Sequence, residues 1–137
     1  MTNIEKVYEA FLGLIDDYTW LNIDKEVIFR LMRNYLDNAI ASFEVCKKDL
    51  TIDDSGNFKE NLTALEIKIL SRLMLLEYLN PKIIREENLR QNITTKDYND
   101  FSKANLLKNL IQLKECYEDD VDELMIDYDY QDFGGLN

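Results

Sequence analysis

Residues Leu62–Leu89 read LTALEIKILSRLMLLEYLNPKIIREENL, the densest apolar run in the chain. Leu65, Ile69, Leu70, Leu73, Met74, Leu76, Leu79, Ile83 and Ile84 recur at helical spacing, and Ile67, Leu75 and Tyr78 fill part of the remaining circumference. A helix apolar over so much of its surface is buried on several sides, so the segment predicts a core helix around which the others pack. Thr63, with Glu66 three residues later, is the capping-box pattern that opens a helix. Asn80-Pro81 interrupts the run. Proline lacks a backbone donor and crowds the preceding turn, which predicts a kink or a hairpinned restart there.

Working outward, Ile4, Val7, Tyr8, Phe11, Leu14 and Ile15 make one stripe and predict a first helix over residues 3–16. Asp16 to Trp20 reads as a turn, with Trp20 anchored on the core. A second helix is predicted from Asp24, its N-cap, to Lys47. Its stripe is Val27, Ile28, Leu31, Met32, Tyr35, Leu36, Ala39, Ile40 and Phe43. Lys48 to Asn61 loses the period around Asp53-Asp54-Ser55-Gly56-Asn57 and reads as a loop with a short β excursion. Arg90 to Phe101 reads as a second connection, since Thr94, Thr95 and Asp97 favour turns and caps.

A last helix is predicted from near Ser102, with Leu106, Leu107, Leu110, Leu113, Tyr117, Val121, Leu124, Met125 and Tyr128 on one stripe. About 26 residues of helix span about 39 Å, more than a compact domain of this size needs, so its lower half is expected to project. Glu115 to Asp132 holds nine acidic residues and no basic one. From Tyr128 to Asn137 aromatic and polar residues alternate before a glycine pair, which predicts an extended arm seeking a surface. The expectation is an all-α bundle of four to five helices over 1–127 and an extended C-terminal arm over 128–137.

The chain of 137 residues fits one core, and one proline with four glycines is too few turn residues for an all-β fold. Its formal charge of −11 disfavours binding to a phosphate backbone, though not passage beside one. Cys46 and Cys116 are expected as buried or half-buried thiols of a reducing compartment. The opening MTNIEKVYEA is neither a cleavable signal nor a transit peptide, and no run reaches the ~20 apolar residues of a membrane span. A cytoplasmic origin is expected.

There is no histidine, which removes Ser-His-Asp, Cys-His and Glu-x-x-His arrangements. No glycine-rich phosphate loop occurs. Asp127-x-Asp129-x-Gln131 mimics the start of a calcium loop, but Asp132 stands where glycine is required and the twelfth position is missing. The acidic residues Glu115, Glu118, Asp119, Asp122 and Glu123 repel at helical spacing and read as a solvated face. Lys82, Arg85 and Arg90, and the row Lys103, Lys108 and Lys114, read as isolated solvated cations or as contacts for an acidic neighbour. No catalytic residue, cofactor or metal is assigned, and the chain is read as a non-enzyme.

Several stretches, in order, resemble the small helical head–tail connector, or adaptor, proteins of tailed-phage necks. They are KVYEAFLGLIDD, YLDNAIASFEVCKKDL, ALEIKILSRLMLLEYLNPKI, TTKDYNDFSKANLLKNLIQLKE and DELMIDYDY. The resemblance implies a helical bundle that packs side by side into a ring, commonly a dodecamer. A C-terminal extension would dock on the portal protein, and a head-closure or tail protein would follow. DNA would pass through the hole without sequence-specific binding and without a membrane. It implies a virion-neck location after assembly in the host cytoplasm, portal docking by Tyr128, Tyr130, Phe133 and Leu136, and a channel wall carrying Glu115, Glu118, Asp119, Asp122 and Glu123. The rival reading is an acidic DNA mimic that inhibits a DNA-binding host enzyme. An acid-plus-metal enzyme is the third.

Overall fold

The capping box at the head of the core helix closes as its sequence requires. Glu66 N donates to Thr63 Oγ1 at 3.2 Å, and Thr63 N donates to Glu66 Oε1 at 2.7 Å. A computed structural model describes residues 1–15, 20, 22–92 and 101–134, the side chains of 88–92, 101–104 and 132–134 excepted. Among the described residues there are four helices: α1 (Ile4–Leu12), α2 (Lys25–Ser42), α3 (Ala64–Asn92) and α4 (Phe101–Gly134). The all-α bundle with a long last helix is therefore the fold. Most of the predicted 16–20 turn and residues 93–100 of the second connection lie outside the described residues.

Helix α3 packs against each of the other three. Its Ile69, Leu70, Leu73, Met74, Leu75, Tyr78 and Leu79 join Val7, Tyr8 and Phe11 of α1, Met32, Leu36 and Ala39 of α2, and Val121 and Tyr128 of α4 in one core. Phe11, Trp20, Tyr35 and Tyr78 form an aromatic knot, with ring centroids 5.7–6.4 Å apart. Trp20 thus anchors on the core as expected. Asp24 caps α2 by accepting from Glu26 N, and Asn3 caps α1 by accepting from Glu5 N.

The segment between α2 and α3 is a loop with two isolated β-bridges, Asn3 with Asn57 and Ile52 with Phe58. It is sewn to the N-terminus. Phe58 N donates to Thr2 O, Leu62 N to Thr2 Oγ1, and Ile4 N to Gly56 O. Gly56 sits at φ 79°, a left-handed conformation that glycine adopts without the steric cost of a Cβ. The Asp53 carboxylate accepts from Ser55 N and Asn57 N, closing the turn around it.

Several expectations change. First, of the kink or restart expected at Pro81, the restart does not occur, since α3 continues through it as one helix. Tyr78, Leu79 and Ile83 are buried on either side of the proline, so packing holds the turns together across the missing hydrogen bond. Second, residues 128–134 continue α4 where an extended arm was expected, and residues 135–137 of that arm lie outside the described residues. The spacing of Leu107, Val121 and Tyr128, in multiples of seven, keeps one helix face on the core to the end of the bundle. Third, the lower half of α4 docks instead of projecting, because Tyr128 is buried. Arg72 meets Asp120 and Glu66 meets Tyr128, so α3 and α4 run antiparallel. Helix α2 also stops at Ser42 and not at Lys47, so Cys46 lies beyond its end; it is half-buried as expected, whereas Cys116 is exposed against expectation, and both are free thiols.

Candidate functional site

The lower half of α4 carries three groups of candidate functional residues, of which the first two hold those singled out from sequence. Tyr128 turns inward. Its hydroxyl donates to Glu66 Oε2 at 2.6 Å and accepts from Lys47 N at 3.1 Å, while its ring packs edge-on against Phe43. It is a core residue, so it is withdrawn from the docking set. Tyr130, two positions on, points outward and is 77% exposed. Phe133 lies in the helical backbone with its side chain undescribed, and Leu136 lies outside the described residues.

Glu66 is the chemical centre of the inward group. It is 1% exposed. Thr63 N, Lys48 Nζ at 3.3 Å and the Tyr128 hydroxyl all donate to its carboxylate. Burial pushes the carboxyl pKa up, but the Thr63 and Tyr128 hydrogen bonds and the Lys48 charge together bring it below the ordinary value. Tyr128 moves the other way: burial, then its hydrogen bond to ionised Glu66, raises the phenol well above its usual range. The Cys46 thiol lies 3.9 Å from both Glu66 Oε2 and the Tyr128 oxygen, and burial raises its pKa too. Lys48 also donates to Asn61 O. The arrangement is a buried carboxylate, partnered by the half-buried Lys48 and the Tyr128 hydroxyl, that ties α4 to the start of α3 and to the loop. The sequence reading took Glu66 only as a cap. Its position three and four residues before Ile69 and Leu70 places it on the core face, the signal by which its burial was readable.

The second group is the acidic face. Glu115, Asp119 and Asp122 follow helical spacing on the side of α4 turned from the core, and they are exposed together with Glu123. Glu118 is only half-buried and pairs with Lys114 at 3.5 Å, so it stands apart from that row. Asp120, which was not singled out, pairs with Arg72 at 3.2 Å.

The third group is a groove of about 340 Å3 between the end of α2 and α4, lined by Ser42, Glu44, Val45, Asp122, Met125, Ile126 and Asp129. Sequence reasoning missed it, because it joins residues some eighty positions apart. Of the basic residues, Lys82 lies over the Tyr78 ring at 5.0 Å, Lys114 takes Glu118, and Arg85 and Lys108 are exposed. Arg90 and Lys103 have undescribed side chains.

Among the described residues no group of three or more Cys, Asp or Glu is placed to hold a metal ion, and no helix is long and apolar enough to cross a membrane. Comparison of the chain with protein-family models, characterised proteins and solved structures returns no match.

Proposed function

We propose that the protein is a structural subunit of a tailed-phage neck, a ring-forming adaptor that joins the portal to tail or head-closure components around the DNA exit channel. The observation that carries this reading is the exposed row Glu115, Asp119, Asp122 and Glu123 on a helix of 34 residues. Carboxylates without an interleaved cation repel phosphate, as a wall beside moving DNA must. The ordered resemblance of the chain to neck adaptors agrees with it. The reading is non-catalytic: the subunit acts by packing beside copies of itself, in a ring of about twelve on the family pattern, with an interface that closes by rotation. With Tyr128 committed to Glu66, portal docking passes to Tyr130 and to Phe133 and Leu136 beyond it.

Light scattering on the purified protein, alone and with the portal protein of the same genome, tests this. A discrete high-order ring or a stable portal complex is the expected result. A monomer indifferent to portal contradicts it. The continuous acidic row also favours the DNA-mimic reading, in which the protein competes with DNA for a basic host enzyme. Displacement of DNA from such an enzyme by the monomer would select that alternative.

A further inference from the structure

We infer that the groove between the end of α2 and the lower half of α4 is a docking site for a basic amphipathic helix of a partner protein. The inference is independent of the neck reading, since it fixes the partner's chemistry and not its identity.

The groove has an apolar floor and an acidic rim. Val45 and Met125 are half-buried in it, and Ile126 stands at its edge 67% exposed. Tyr130 lies one helical turn further on, 77% exposed. Isoleucine and tyrosine four positions apart make an apolar ridge of the kind that a facing helix covers with its own i, i+3 and i+4 residues. One wall of the groove is α4 and the other is the end of α2 with the turn at Glu44 and Val45, and no strand edge is offered among the described residues, which selects a helix over an added strand as the occupant.

Charge selects its composition. The rim carries Glu44, Asp122 and Asp129. Asp129 is held by Lys47 at 3.3 Å, and among the described residues Glu44 and Asp122 form no ion pair. Glu44 and Asp122 are the exposed acids of this rim that a cation arriving from outside would meet. A second copy of this chain is a poor source: it carries 27 acidic against 16 basic residues. Within the fold Arg33, Lys47, Lys48, Arg72 and Lys114 are already ion-paired. A segment with lysines or arginines flanking an apolar stripe satisfies floor and rim together.

The test titrates the full chain against a fluorescent Leu/Lys helical peptide of about 18 residues, read by anisotropy. Two controls accompany it: a Leu/Glu peptide of the same pattern and a Lys/Ser peptide of the same charge. Saturable binding of the Leu/Lys peptide is expected, with both controls weaker by about tenfold or more. Ile126→Asp makes the protein more acidic yet should weaken binding by about tenfold, and Glu44→Lys with Asp122→Lys should do the same. All three positions lie at the surface, and circular dichroism confirms that the variants fold. Equal binding by Ile126→Asp or by the Lys/Ser peptide would reduce the effect to net charge and overturn the docking site. A dimer of the wild type that Ile126→Asp disperses would assign the groove to a second copy and overturn it as well.

Discussion

The Tyr128 hydroxyl donates to Glu66 Oε2 at 2.6 Å across 62 positions of sequence, and this bond fastens the last helix to the first turn of the core helix. Replacing tyrosine by phenylalanine keeps the ring against Phe43 and removes only the hydroxyl. Glu66 then loses a donor, and Lys47 N loses its acceptor. A hydrogen bond to a charged buried group contributes about 1.5–3 kcal/mol, so Tyr128→Phe should lower unfolding free energy by that amount with the helical spectrum unchanged. Denaturant titration measures it, and a loss below about 0.5 kcal/mol would show that the bond is not a fastener.

The same junction sets the pH dependence. The Glu66 pKa is lowered in the fold, so its contribution is present above the ordinary carboxyl value of 4.5 and is lost as pH falls through the lower folded value. The stability gap between wild type and Glu66→Gln should be flat near neutrality and close in acid. Tyr128 and Cys46 are raised in the fold, so theirs is present below the ordinary values of 10.0 and 9.0 and is lost as pH rises from there through the raised folded values. Tyr128→Phe should therefore lose part of the alkaline decline that the wild type shows. Melting temperature across the pH range for the three proteins checks both limbs. Identical profiles would remove the junction as the titrating element.

The core helix and its start were legible because both signals are local: a run of apolar residues at helical spacing and a Thr63–Glu66 box. Asp24 and the loop around Gly56 were legible for the same reason. The final residues were misread because Tyr128 and Tyr130, with Asp129 between them, fit a two-residue period. The three-dimensional reason they are helical is the Leu107–Val121–Tyr128 seam, which is visible only when the register is carried across the apparent break. The candidate site was half legible. Its acidic row is a property of one helix, whereas the groove and the Glu66 junction join α4 to residues before and within α3, and no local pattern records that pairing.

The capping box offers a separate measure of how α3 is held. Thr63 is exposed, so its side chain contributes through the hydrogen bond from Glu66 N and not through burial. Thr63→Ala should cost about 1 kcal/mol, and Thr63→Ser should recover most of it. If alanine were neutral in chemical denaturation, the reciprocal bond from Thr63 N to Glu66 would be sufficient to start the helix.

Pro81 works against the helix that contains it. Its ring has no N–H to offer the carbonyl of Glu77, and an interior proline costs a helix about 3 kcal/mol. The residue is exposed, so no packing is forfeited on its removal, while Tyr78, Leu79 and Ile83 around it stay buried. Pro81→Ala should restore the bond and raise stability by about 1–3 kcal/mol, less whatever unfolded-chain freedom the proline had removed. The expected readouts are a higher denaturation midpoint and slower hydrogen exchange at the amides flanking position 81. A destabilised variant would mean that α3 is bent at this turn to fit its neighbours and that straightening it strains the core.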